Sequence, residues 1–253
     1  MIKVFKIGGN VIDNMEALDI FLSAFAAVEG KKVLVHGGGR IATAVSSAMG
    51  IKPVMVDGRR VTDRETLDVV VMVYAGLVNK TVSAKLNAAG CQAAGLCGAD
   101  ACIVLSGKRA VGAVDYGFVG DPLQGGVNTA FLTALTDGGT VPVIAPITMD
   151  GNGQLLNTNA DTVAQAIAVA LSQADETELI YCFEHNGVLS DINDKDSLIP
   201  VITKNNYEDL RESGVVAAGM IPKIDNAFSA VSGGVEKVRI CNSRDFSGGT
   251  LII

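Results

Sequence analysis

Twice near its start the chain runs a short apolar stretch into consecutive glycines and then into a helical pattern. Val4 to Ile7 ends at Gly8-Gly9, and apolar residues follow at helical spacing from Met15 to Val28. Lys32 to Val35 ends at His36-Gly37-Gly38-Gly39, and Ile41 to Met49 reads as the next helix. Strand, glycine turn and helix in repetition describe a parallel sheet, because parallel neighbours can be joined only by a crossover segment. The right-handed crossover rule then places helices on both faces of that sheet.

The rest of the chain continues the alternation. Arg64 to Ala89 is a long helical segment with an expected break near Gly76. Cys91 to Leu96, Ala101 to Leu105 and Val141 to Ala145 read as strands. Gly107 to Gly126 alternates apolar and polar residues between glycines, which predicts hairpins with tight turns. Asn159 to Leu171 opens on polar residues and becomes an alanine-rich helix, with Asn159 or Asp161 available as its cap. The pattern then restarts with a strand at Glu178 to Phe183, helices at Tyr207 to Ser213 and Lys223 to Val231, and short strands at Lys237 to Cys241 and Thr250 to Ile253. This predicts two lobes, residues 1–175 and 176–253.

Composition narrows the function class. The 253 residues are 49% hydrophobic and 19% charged, so the chain can bury a sizeable core. With no Trp and 5% aromatics, that core must be mostly Ala, Val, Ile and Leu. A net charge of -7 and a pI near 4.8 argue against a nucleic-acid partner. No uninterrupted apolar run reaches the ~20 residues of a membrane span, and the N-terminus has no signal-peptide pattern. The 5 cysteines form an odd set without a C-x-x-C pair, which predicts reduced thiols in a cytoplasmic protein. The histidines, His36 and His185, are not at ligand spacing from a cysteine pair, so no protein-held metal is expected. A metabolite enzyme fits best.

Its chemistry should lie beyond the carboxyl ends of the strands, where glycine turns lead into helices. The turns at Gly8-Gly9 and Gly37-Gly38-Gly39 can direct several amide N–H groups at one anion, and Lys6 adds a charge beside the first. Neither turn matches G-x-G-x-x-G or the P-loop pattern. Arg59 and Arg60 offer guanidinium forks suited to a carboxylate. Asn157-Thr158-Asn159-Ala160-Asp161 crowds amides and a carboxylate at a helix start, more than capping alone requires. Lys223 lies at another helix start, where the macrodipole disfavours a cation unless an anionic ligand shares the place.

Six segments then occur in order: K-I-G-G-N (Lys6–Asn10), V-H-G-G-G (Val35–Gly39), D-G-R-R-V-T-D (57–63), A-G-L-V-N-K (Ala75–Lys80), N-T-N-A-D (Asn157–Asp161) and G-M-I-P-K (219–223). Together they resemble the acetylglutamate kinase branch of the amino-acid kinase family over essentially the whole chain. The resemblance implies a three-layer α/β sandwich around a mainly parallel sheet of about eight strands, with an acyl-amino-acid lobe and a nucleotide lobe. It implies ATP-dependent phosphorylation of the γ-carboxylate of N-acetyl-L-glutamate, the second step of arginine biosynthesis, with Mg²⁺ carried on the ATP. Lys6 and Lys223 are similar to the lysines flanking the transferring phosphoryl group, and Asp161 to the aspartate that orients both. Gly8, Gly9 and Gly38 resemble phosphate-binding amides, and Gly38 and Gly39 also line the substrate side. Arg60 is similar to the substrate-carboxylate clamp, and Asn157 and Asn159 to residues that hold the amino-acid portion.

Three positions depart from the family pattern. Arg40 follows the glycine triplet, where a cation suits an acyl group with an extra carboxylate, as in N-succinyl-L-glutamate. Phe183-Glu184 stands where a serine or threonine and an aspartate are usual, which makes Glu184 a nucleotide-contact candidate. Gly249-Thr250-Leu251-Ile252 replaces G-T-R-I. The alternatives are the same reaction on the succinyl compound and a non-catalytic nucleotide or amino-acid sensor, though a pure binder has no need of Lys6, Asp161 and Lys223 together. Because the chain begins at its first strand, a homodimer without arginine feedback is expected, with the apolar helix at Val69 to Val78 as its interface.

Overall fold

The computed structural model describes the chain except residues 57, 192, 195 and 217–219. Asp57 and Gly219, each part of a segment quoted above, lie outside the described residues. In chain order the elements are β1 (Ile2–Ile7), α1 (Gly9–Ile12), α2 (Met15–Ala26), β2 (Lys31–His36), α3 (Gly39–Ala48), β3 (Val54–Val56), β4 (Arg59–Val61), α4 (Arg64–Val70), α5 (Asn79–Ala88), β5 (Ala93–Cys97), β6 (Val104–Lys108), β7 (Val119–Val127), α6 (Thr129–Asp137), β8 (Val141–Ala145), β9 (Ile147–Met149), β10 (Leu155–Thr158), α7 (Ala160–Leu171), β11 (Thr177–Phe183), β12 (Val201–Ile202), α8 (Lys204–Glu212), α9 (Ile221–Ser232), β13 (Lys237–Asn242) and β14 (Asp245–Ile252).

Eight strands form one sheet in the order β12-β14-β13-β11-β1-β2-β8-β5. Only the β13–β14 pair is antiparallel. β1 sits in the interior of the sheet, between β11 and β2, and neighbours reached from such different parts of the chain require crossovers. Alternation along the strands sends residues to two cores. Val4, Val35, Leu179 and Tyr181 pack with α7 and α9 on one face. Phe5, Leu34, Ile180 and Cys182 pack with α2, α4 and α5 on the other. Four of the aromatics meet there: Phe5, Phe21, Phe25 and Phe246 form an edge-to-face and stacked cluster with centroids 5.0–5.8 Å apart.

Helix starts follow local chemistry. The Asn14, Asp63 and Asn159 side chains accept from backbone amides at the starts of α2, α4 and α7, and Thr203 with Asn206 makes a capping box for α8. The expected break near Gly76 does not occur. Arg64–Ala88 is one continuous helix, π-wound through Val71–Val78. This helix is long and apolar enough to cross a membrane by length and composition alone, yet half of its most apolar window is buried in the protein. A small barrel of β10, β7, β6 and β9 and a hairpin of β3 and β4 stand outside the main sheet. The hairpin carries Arg60, on β4.

Candidate active site

The carboxyl end of β1 carries Lys6. In register with it on β11 is Tyr181, so the next residue on that face, Phe183, comes up beside the lysine side chain. Lys6 Nζ lies 2.6 Å from Asp161 Oδ1, with side-chain exposures of 8% and 14%. The contact lacks hydrogen-bond angles and leaves Oδ1 without a donor, so it is a charge contact in a poorly solvated place. Asp161 is held by α7, whose cap, Asn159, accepts from the Asp161 and Thr162 amides at 2.8 and 3.1 Å.

Lys223 enters from the first turn of α9. Its Nζ stands over the Phe183 ring, 5.0 Å from the centroid, and Lys6 Nζ stands 5.8 Å from the same centroid. The two ammonium groups, remote in the chain, thus approach one ring and line one cavity. The aspartate contact is different: among the described residues Asp161 forms an ion pair with Lys6 alone, and Lys223 has no carboxylate within ion-pair distance. Phe183, passed over in the sequence as a departure, is what the second lysine touches.

Lys6, Gly8, Gly9, Phe183, Glu184 and Lys223 line a cavity of about 310 Å³. Gly8 approaches the lysine closely: a Cβ there would lie 3.8 Å from Lys6 Nζ. Asn10, Glu184 and His185 also line an adjoining cavity of about 460 Å³ that reaches Asn242 and Arg244. Glu184 accepts from Asn10 Nδ2 through both oxygens, at 2.5 and 2.7 Å, which ties the β1 turn to the β11 turn. Among the described residues no group of three His, Cys, Asp or Glu is disposed to hold a metal.

A second cavity, about 200 Å³, is lined by Gly38, Gly39, Arg60, Tyr74, Asn157 and Asn159 among others. It lies beside the first: Gly37 lines it, and a Cβ on Gly37 would come 3.9 Å from the backbone nitrogen of Gly9, which lines the first. Arg60 is 7% exposed. It donates through Nη2 to Gly39 O at 2.9 Å and Thr43 Oγ1 at 2.7 Å, while Nη1 is buried without a partner. A buried cationic donor left open in this way suits an arriving anion. Tyr74 closes the floor, and burial pushes its hydroxyl pKa up despite the opposing pull of the Arg60 guanidinium. Gly38 adopts φ +152, and a Cβ there would come 3.1 Å from the Tyr74 ring. Asn157 Nδ2 donates to Thr62 Oγ1 at 2.9 Å. Thr43 and Tyr74 were missed: Thr43 lies one turn along α3, and Tyr74 reads as one more apolar helix residue.

Behind the glycine triplet His36 is wholly buried. Its ring is 2.7 Å from Gly37 O through Nδ1 and 3.1 Å from Asn79 Nδ2 through Nε2, so the δ-protonated tautomer satisfies both contacts. Asn79 Nδ2 also reaches Leu96 O and Val143 O. Arg40 stands apart. Its side chain is 73% exposed, with Nε 3.7 Å from Asp13 Oδ2, and it lines neither of these two cavities.

A space with two ammonium groups beside one with an open guanidinium can bring two anions together and stabilise charge moving between them. The pattern of the amino acid kinase family matches residues 1–242. The acetylglutamate kinase of Cytophaga hutchinsonii is 54% identical over 241 residues, 95% of this chain and 90% of that protein. The acetylglutamate kinase of Bacteroides fragilis (strain YCH46) is 49% identical over 253 residues, 99% of this chain and 96% of that protein. The solved structure of smu.665 from Streptococcus mutans UA159 superposes with a TM-score of 0.79 at 28% identity, covering 99% of this chain and 98% of that one. With a family pattern over nearly its whole length, and relatives about half identical along it, the chain belongs to the amino acid kinase family.

Proposed function

We propose that this chain transfers the γ-phosphoryl group of ATP to the γ-carboxylate of N-acetyl-L-glutamate, forming the acyl phosphate and ADP in the second step of arginine biosynthesis. The observation that carries the reading is the convergence of Lys6 and Lys223 on one glycine-floored cavity over Phe183. A carboxylate acceptor is already ionised at neutral pH, so no general base is needed. The protein must instead hold two anions in line and offset the charge on the equatorial phosphoryl oxygens. On this reading Arg60 and the amides of Gly38 and Gly39 seat the acylated amino acid, with Asn157 and Asn159 beside it. The Gly8 and Gly9 turn seats the phosphates, and Lys6 and Lys223 flank the group in transit. Asp161 keeps Lys6 in place between turnovers. Glu184 meets the nucleotide from the far side.

Mg²⁺ would arrive on the ATP phosphates with most of its water shell. The cationic lining suits a metal already held by the nucleotide. Residues 1–175 form the acyl-amino-acid lobe in this scheme and residues 176–253 the nucleotide lobe. We further infer a cytoplasmic homodimer that uses the outer face of the π-wound helix, where Met72 and Leu77 are exposed.

A coupled ADP-release assay with N-acetyl-L-glutamate, N-succinyl-L-glutamate, glutamate and aspartate tests the function. The acetyl compound should give the highest kcat/KM. Nucleotide binding without turnover of any of the four would replace the enzyme reading with a sensor.

A further inference from the structure

We propose that Phe183 is a positioning residue: its ring holds the Lys223 and Lys6 ammonium groups at the phosphoryl site. This rests on the phosphoryl-transfer reading above and adds a part to it. Both Nζ atoms lie within cation–π range of a single ring, at 5.0 and 5.8 Å from the centroid. For Lys6 the ring supplements a carboxylate. For Lys223 it is the anchor, since no carboxylate among the described residues comes within ion-pair distance.

The physical need is plain. Two ammonium groups beside one small cavity repel each other, and a long lysine side chain has many rotamers to lose when it is fixed. A second carboxylate would hold Lys223, but it would also repel the incoming phosphates and compete with them for the cation. The face of a benzene ring attracts a cation through its quadrupole without carrying net charge. It can therefore place Lys223 before the phosphates arrive and still leave the ammonium free to bind them. Phe183 is itself fixed, as the last residue of β11, where it packs against the core beneath.

The test replaces the ring's electron density separately from its bulk. In full-length protein, Phe183→Leu should lower kcat about tenfold, the scale of one desolvated cation–π contact, and Phe183→Tyr should restore most of it. Singly, doubly and triply fluorinated phenylalanine incorporated at position 183 should lower kcat stepwise with little change in melting temperature. A packing role alone would not produce that graded loss. Phe183→Leu should slow the Lys223→Ala variant by clearly less than it slows the parent, because only the supplementary contact to Lys6 is then left to lose. Full activity throughout the fluorinated series, while Lys223→Ala is still impaired, would overturn the platform and leave the phosphoryl-transfer reading standing. An unimpaired Lys223→Ala would instead reject that underlying reading.

Discussion

Lys6 Nζ approaches Asp161 Oδ1 to 2.6 Å, and neither group is well solvated. The pair is preorganised, so the ammonium does not have to be gathered from water at the moment of reaction. Lys6→Ala should depress kcat by roughly 10²–10³, the loss seen when one charge-stabilising donor is removed. Asp161→Asn should also lower kcat, because a buried lysine without its counter-charge abandons its position. If the two act as a unit, the double variant is no worse than the poorer single one. Losses that multiply in steady-state ADP-release kinetics would separate them.

Arg60 leaves one buried nitrogen unpartnered while the other is fixed on Gly39 and Thr43. The open nitrogen is the anion-facing half of a pre-set fork. Arg60→Lys keeps the charge but loses the fork. KM for the acylated amino acid should rise about 10- to 100-fold, or about 1.4–2.7 kcal/mol, with KM for ATP nearly unchanged. Equal rises for both substrates would move Arg60 out of the acceptor cavity.

His36 provides a pH signature. Burial pushes its pKa down to about 4 from an ordinary 6.5, so the folded protein keeps the ring neutral. Between those values the unfolded chain takes up a proton and the folded one does not. Stability therefore falls as pH drops from about 6.5 to about 4, by about 3 kcal/mol from this group when the loss is complete. Urea melts across that range should show a shallower decline in His36→Asn than in the parent. Parallel curves would show that His36 titrates normally.

The positions of these residues were unevenly legible in the sequence. β1, β2, β11 and the glycine turns were readable because buried parallel strands are short, apolar and punctuated. Lys6, Asp161 and Lys223 followed from motif order. The β3–β4 hairpin was not readable, since three-residue strands carry too little pattern. Nor was the continuity of the helix past Gly76, because the glycine lies inside the eight-residue π-wound stretch and apolar spacing does not reveal such winding. Phe183 and Thr43 act through contacts between distant segments, and spacing along the chain does not encode those.

Arg40 offers the last prediction. A cation after the glycine triplet invites a role in reading the acyl group, and an extra carboxylate on that group would be its natural partner. Its guanidinium is instead largely in solvent, 3.7 Å from an Asp13 carboxylate whose pKa is raised by burial and eased back by Arg40. A long-reach contact made from solvent contributes little, on the scale of a surface ion pair. Arg40→Ala should therefore leave the ratio of kcat/KM for N-acetyl- and N-succinyl-L-glutamate within about threefold of the parent, a shift of less than about 1 kcal/mol. A larger loss confined to the succinyl compound would place Arg40 at the acyl group and make it the residue that separates the two substrates.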